Sequence, residues 1–115
     1  MKVSYEGIGE VTATFEMENV IEGEVVCMAD SGRVRSCMDG EDFCGVVLAV
    51  SEDRTSATVQ IGGVAYIPCY DAERPAAGYC KLCADGNGAV RVDENARERL
   101  ILSVGQSGNG MAVVL

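Results

Sequence analysis

The chain has 115 residues, of which 48% are hydrophobic and 23% are charged, a balance that suits one globular domain with one core. Its net charge is −9 at pH 7, so we exclude nucleic acid and an anionic membrane surface as direct partners. The absence of histidine excludes Ser-His-Asp and Cys-His catalysis within this chain. We therefore expect a protein that is not an enzyme and that uses no cofactor.

The beginning of the chain bears on its expected location. Residues 1–10 contain no apolar run of the kind that forms a signal peptide, and no segment approaches the length of a membrane helix. We expect a cytoplasmic protein, in which residues 1–10 are either ordered or a flexible arm. Cysteines remain thiols in that compartment and behave as small buried hydrophobic residues. The six cysteines are Cys27, Cys37, Cys44, Cys69, Cys80 and Cys83.

Short apolar segments alternate with turns that are rich in glycine or acidic residues, which is typical of an all-β protein. Residues 11–18 alternate between apolar and polar side chains and predict a strand with one buried face. Both alternating sets of residues 43–50 are apolar, so both faces should be covered, and another subunit is a candidate for the second cover. The predicted strands are 11–18, 24–28, 33–37, 43–50, 55–61, 64–70, 78–84, 89–92, 100–104 and 111–115.

The turn chemistry of the central segment predicts a hairpin. Gly62 and Gly63 both tolerate a positive φ, so they should reverse the chain between strands 55–61 and 64–70. Within the first of these strands, Ile61 is expected to point inward and Gln60 outward. Pro68 cannot donate a hydrogen bond to a neighbouring strand, so the second strand should end or lie at an edge there.

These elements together predict the fold. Residues 93–99 are the only plausible helical turn. We expect a single all-β domain over 1–115, built as a small β-barrel or sandwich of about nine to ten short, mostly antiparallel strands.

Cys80 and Cys83 form a CxxC pair, which raises the alternative of a cytoplasmic metal-binding or redox thiol protein. A redox pair sits at a helix N-terminus, and a structural zinc site needs two such pairs. Here the motif lies in a predicted strand, where the two side chains would point to opposite faces. We expect ordinary buried or half-buried thiols and keep Cys80 and Cys83 as the candidate metal ligands.

The positions of three tyrosines suggest a protein interface. They flank the segment from Pro68 to Pro75, and tyrosines near an edge strand are good interface anchors as well as ordinary strand residues. Together with the doubly apolar strand they give the candidate interface residues, which are Val46, Leu48, Val50, Tyr66, Tyr70 and Tyr79.

The order of four segments resembles a known family. The segments are DGEDFCGVVLAV at 39–50, ATVQIGGVAYIPCY at 57–70, PAAGYCKLCADGNGAV at 75–90 and the closing MAVVL. This order is similar to that of small capsid-associated proteins of tailed phages and prophages, of the head-decoration or capsid-stabilisation type. The matching positions are Asp42, Phe43, Gly45, Val46, Val59, Ile61, Gly63, Val64, Ala77, Gly78, Leu82, Ala84, Asp85, Gly86, Gly88 and Val90. The resemblance implies a β-barrel-like domain that oligomerises and binds the outside of a capsid lattice, without catalytic residues.

Three functions therefore remain open at the level of sequence. The first is a structural interaction protein that binds a capsid protein or another protein surface, as a homo-oligomer, with a trimer suiting a three-fold lattice position. Its location would be the virion if a phage encodes it. The second is the thiol protein of Cys80 and Cys83. The third is a small-molecule or sugar-binding β module, for which the sequence offers no motif.

Overall fold

The computed structural model describes residues 9–70, 75–104 and 110–115, and these residues form nine β-strands without a helix. The strands are β1 (Glu10–Glu18), β2 (Val25–Asp30), β3 (Arg33–Ser36), β4 (Gly45–Val50), β5 (Ser56–Ile67), β6 (Gly78–Ala84), β7 (Val90–Val92), β8 (Glu98–Val104) and β9 (Met111–Val114). The predicted all-β class is confirmed. Residues 1–8 of the predicted arm lie outside the described part.

The strands pair in the order β1-β3-β2-β4-β5-β9-β8-β6-β7, and β1 also pairs with β5. The additional pairing links β1, β3, β2, β4 and β5 in a cycle of neighbours, which we call the strand ring. The end of β5 continues into a second group with β9, β8, β6 and β7, which we call the C-terminal sheet. Among the pairings of these strands, β1 with β3 is parallel and the others are antiparallel, as the sequence predicts.

β5 connects the two groups as one continuous strand of 12 residues. Residues 56–63 pair with β1, whereas residues 64–67 pair with β9. Gly63 lies at the changeover with a φ of 82°, and the carbonyl of Gly9 occupies the space where a Cβ would stand. The hairpin predicted at Gly62-Gly63 is therefore wrong, because these glycines bend the strand instead of reversing it.

Gln60 is buried at the bend, although an outward position is expected from the sequence. Its Nε2 donates hydrogen bonds to the carbonyls of Gly62 (3.1 Å) and Val64 (2.9 Å). Its side chain points to the face of β5 opposite to that of Val59, as the sequence predicts. That face is buried, however, because the C-terminal sheet covers it. Ile61 is exposed instead of buried because it is the extra residue of a bulge, in which β1 pairs with its two neighbours.

The described residues form two apolar cores. The ring core lies among the ring strands and consists of Val20, Val26, Val34, Val47, Ala57 and Val59. The shared core takes residues from both groups of strands and contains Phe43, Val46, Ile67, Leu82, Ile101, Met111 and Val113, among others. β4 serves both cores, so the predicted cover on both faces is confirmed at Val46 and Val47. Both covers come from the same chain, which makes a second subunit unnecessary there.

A disulfide joins Cys27 of β2 to Cys37, the residue after β3. The expectation that all six cysteines remain thiols is wrong for this pair. The β2–β3 hairpin sets Cys27 opposite Arg35, and the Cα atoms of Cys27 and Cys37 are 5.4 Å apart, within the usual range for a disulfide.

Two further predictions concern the segment 93–99 and the end of β5 at Pro68; the first is wrong and the second is confirmed. The helical turn predicted at 93–99 is a single tight turn, in which the Asp93 carboxylate accepts a hydrogen bond from the Asn95 amide at 2.9 Å. β8 begins immediately afterwards, at Glu98. β5 ends at Ile67, directly before Pro68, as predicted.

The bend in β5 yields a first prediction. We expect Gln60→Met, which keeps the side-chain volume, to lower the free energy of unfolding by about 1–3 kcal/mol, because two carbonyls lose a buried donor. Thr58→Val on the same strand is the matched control and should change that free energy by less than about 0.5 kcal/mol. Urea denaturation measures both values. Equal stability of the two variants would contradict the role assigned to Gln60.

Candidate functional site: the exposed face of the C-terminal sheet

A row of apolar side chains crosses four neighbouring strands of the C-terminal sheet. Val64 of β5 lies opposite Val114 of β9, Val114 lies opposite Leu100 of β8, and Leu100 lies opposite Tyr79 of β6. Directly opposite residues of antiparallel strands point to the same face of a sheet. Tyr66 stands next to this row, opposite Ala112. We call this surface the tyrosine face; its residues are Val64, Tyr66, Tyr79, Leu100 and Val114, whereas Ala112 on the same face is itself buried.

The two tyrosines are the most exposed residues of this surface. Tyr79 is 73% and Tyr66 is 68% exposed, whereas Val64, Leu100 and Val114 are half-buried. The alternate residues of the same strands point the other way into the shared core. The sheet is thus apolar on both sides, and one side meets solvent in the single chain.

The sequence produces this arrangement through strands in which both alternating sets are apolar. In β9, Met111 and Val113 are fully buried while Val114 is half-buried. In β5, Ala65 and Ile67 are buried while Tyr66 is exposed. Sheets that face water usually place polar residues on the wet side. Apolar residues on that side therefore mark a surface suited to a partner.

Charges border the tyrosine face but do not interrupt it. Lys81 of β6 lies opposite Glu98 of β8, and its Nζ donates a hydrogen bond to the carbonyl of Glu94 at 3.2 Å. Elsewhere, four arginines are already engaged with carboxylates; the ion pairs are Arg33 with Glu16 and Glu18, Arg35 with Glu41, Arg91 with Asp39 and Asp93, and Arg99 with Asp42. With a net charge of −9, the surplus carboxylates dominate the remaining surface.

The structure places two of the predicted interface residues on the same face of the C-terminal sheet, with β9 and β8 between them. Tyr66 and Tyr79 belong to the tyrosine face, whereas Tyr70 lies beyond the end of β5 and is 67% exposed. Sequence analysis missed Leu100 and Val114 of the same surface. The signal that could have found Val114 is the closing segment MAVVL, where both alternating sets are apolar, as they are in 43–50.

The β4 candidates have different surroundings. Val46 is 3% exposed and packs in the shared core, so it is not available to a partner in this structure. Val50 is half-buried against the ring core. Leu48 is 42% exposed, but β4 pairs with β2 and β5 and not with the other strands of the tyrosine face.

The two cysteines of the CxxC motif do not converge. Cys80 lies opposite Arg99 and packs against the shared core, while Cys83 lies opposite Arg91. Three positions apart on one strand, their side chains point to opposite faces. Burial raises the pKa of the Cys83 thiol above its usual value. Within the described ranges, no group of three or more His, Cys, Asp or Glu residues is placed to hold a metal ion.

Arg99 is a buried cation directly beside Leu100. Its guanidinium lies 4.1 Å from the centroid of the Phe43 ring and donates hydrogen bonds to the Phe43 carbonyl (2.7 Å) and to Asp42 (3.0 Å). These contacts hold the segment before β4 against β8, on the face of the sheet opposite to the tyrosine face. The Nε of Arg99 is buried and has no hydrogen-bond partner among the residues that the structure describes.

An open depression of about 440 Å³ lies at one end of the strand ring; its lining residues are Glu16, Met17, Glu18, Arg33, Arg54, Thr55 and Ser56. Its two cations are already engaged. Arg33 pairs with Glu16 and Glu18, and Arg54 donates a hydrogen bond to the carbonyl of Val20 at 3.1 Å. Two carboxylates and two guanidinium groups line the depression, so it has no excess of positive charge to attract an anionic ligand.

The ion pair of Arg35 and Glu41 generates a pH prediction. The hydrogen bond from Arg35 lowers the pKa of Glu41 from 4.5 to about 2. The pair therefore stabilises the fold fully above the unfolded value, and this contribution is lost as the pH falls from about 4.5 towards 2. We expect Glu41→Gln to be less stable than the natural chain at neutral pH, and the difference to disappear near pH 2.

Urea midpoints over a pH series measure this effect. In an Arg35→Gln background the same Glu41→Gln substitution should have a much smaller effect, because its partner is already missing. A difference between Glu41→Gln and the natural chain that stays constant with pH would contradict the assignment.

Comparison of the chain with protein-family models found no match, and comparison with curated proteins found none either. In the part of the chain that the structure describes, no helix has the length and apolar character needed to cross a bilayer.

Proposed function

We propose that the protein is a non-catalytic structural interaction protein that docks its tyrosine face on the surface of another protein. The observation that carries this proposal is the apolar row from Val64 to Tyr79 on the solvent side of the C-terminal sheet. The partner that we propose is the capsid lattice of a tailed phage or prophage, in line with the sequence resemblance.

The two tyrosines suit the role of anchors. Tyrosine is among the residues that contribute most to protein interfaces, because it buries a large area and keeps a hydroxyl for a hydrogen bond. Tyr66 of β5 and Tyr79 of β6 are held on strands of one sheet, with β9 and β8 between them, so little backbone freedom is lost when they become buried. The half-buried Val64, Leu100 and Val114 between them would form the dry centre of the contact.

Charge favours a partner that is not a second copy of this chain. Two chains that each carry −9 repel one another, whereas a patch with an apolar centre and a rim of Lys and Arg would attract this protein. Capsid binding would stabilise the shell by mass action, because each bound subunit adds buried surface that is lost on disassembly. The disulfide of Cys27 and Cys37 suits a protein of the virion, since disulfides persist outside the reducing cytosol.

Co-sedimentation with purified capsids of the phage or prophage that encodes the chain tests the proposal. We expect the natural chain to bind, and we expect the double variant Tyr66→Ser, Tyr79→Ser to bind at least about a hundredfold more weakly. Since both side chains are exposed, the thermal midpoint of the double variant should stay close to that of the natural chain. Tyr70→Ser is the matched control, because Tyr70 is about as exposed as the other two tyrosines but lies outside the tyrosine face.

Each other outcome counts against part of the proposal. Natural chain that stays in the supernatant contradicts the capsid as partner. Full binding by the double variant contradicts the tyrosine face as the contact. Light scattering that finds an oligomer of the natural chain and a monomer of the double variant would assign the face to a second copy, and would contradict the occupant proposed here.

A further inference from the structure

We propose that the Cys27–Cys37 disulfide is a redox-controlled clamp on residues 38–42, which we call the acidic loop, and that a dithiol releases this loop while both cores stay folded. The inference does not depend on the proposed function. It rests on where the loop lies and on how its two ends are held.

The acidic loop connects the strand ring to the C-terminal sheet. The amide of Gly40 donates a hydrogen bond to the carbonyl of Ala84, and the amide of Ala84 donates one to the carbonyl of Glu41, both at 2.9 Å. Since Ala84 ends β6, the loop leaves β3 and lies across the end of a strand in the other group. Its release would therefore loosen a contact between the two groups.

The two ends of the loop are held in different ways. At the far end, Phe43 is fully buried in the shared core beneath the guanidinium of Arg99. This attachment is apolar and electrostatic, so it is independent of redox state. At the near end, Cys37 is buried in the same core and is in addition held covalently by Cys27. Reduction consequently acts on one end only.

The remaining contacts of the loop are weak restraints. Arg35 and Glu41 form a two-point ion pair at 2.7 and 2.8 Å, and their side chains are each 30% exposed. The pair of Arg91 and Asp39 is similarly open to solvent. Ion pairs at such positions contribute little to stability, whereas the disulfide is a covalent bond to Cys37, the residue directly before the loop. The disulfide is thus the covalent restraint on the near end.

The chemistry is a thiol–disulfide exchange. A thiolate of the dithiol attacks one sulfur of the Cys27–Cys37 bond, which breaks and leaves a mixed disulfide. The second thiol of the reductant then displaces the protein sulfur, so that the protein gains two electrons and two protons as two thiols and the reductant becomes a disulfide. A disulfide oxidant such as oxidised glutathione reverses the reaction. Both cysteines are buried, so the attack requires a transient local opening that exposes one of the two sulfurs.

Hydrogen exchange of the full chain, followed by mass spectrometry with and without dithiothreitol, tests the proposal. The amides of Gly40 and Glu41 are the reporters, because each donates a backbone hydrogen bond in the closed loop. We expect both to exchange at least about tenfold faster after reduction, while β4 and β5 keep their protection. Alkylation and intact mass count the thiols in each sample.

Variants provide the matched controls. Cys27→Ser with Cys37→Ser should show fast exchange of the loop with or without reductant, and Cys80→Ser should respond like the natural chain. Cys27 and Cys37 found as thiols in the oxidised sample would overturn the proposal. So would reduction of both without faster exchange of the loop, or with an equal rise in β4 and β5. The comparison of the natural chain in its two redox states decides the matter even if the double variant does not fold.

Discussion

The bend of β5 at Gly63 is the constraint on which the arrangement of the whole molecule depends. Before the bend, the strand closes the ring by pairing with β1 and β4; after it, the same strand begins the C-terminal sheet. Gln60 supplies the donors that the bent backbone lacks. Because β5 belongs to both groups of strands, it connects them directly, and the shared core forms between them. A change at the bend would therefore affect both groups.

The same geometry explains why an apolar surface remains exposed. The C-terminal sheet packs only one of its faces against the ring, since the shared core lies on that side. Its strands nevertheless carry apolar residues on both faces, with Tyr66 and Tyr79 at the two sides of the outer one. The exposed face is therefore a property of the strand sequences themselves.

The local sequence pattern was sufficient to locate most of the strands, but it was insufficient to predict which strands pair with one another. Alternation and turn residues located β1 and β6 closely, and Pro68 marked the end of β5. The conformation at Gly62-Gly63 could not be predicted from the local sequence, because a glycine pair can either reverse or bend a strand. The pairing of β5 with β1 and β9 decides between the two. The burial of Gln60 and the disulfide of Cys27 likewise depend on which elements meet in space. Of the candidate site, sequence supplied the tyrosines but not the row between them.

Side-chain footprinting of the bound protein tests the central claim most directly. Hydroxyl radicals modify exposed tyrosines, so the reactivity of each tyrosine can be compared between the free chain and the chain bound to capsids. The account predicts that Tyr66 and Tyr79 become protected on binding, while Tyr70 keeps the reactivity of the free chain. Unchanged reactivity of Tyr66 and Tyr79 in the bound state would contradict it.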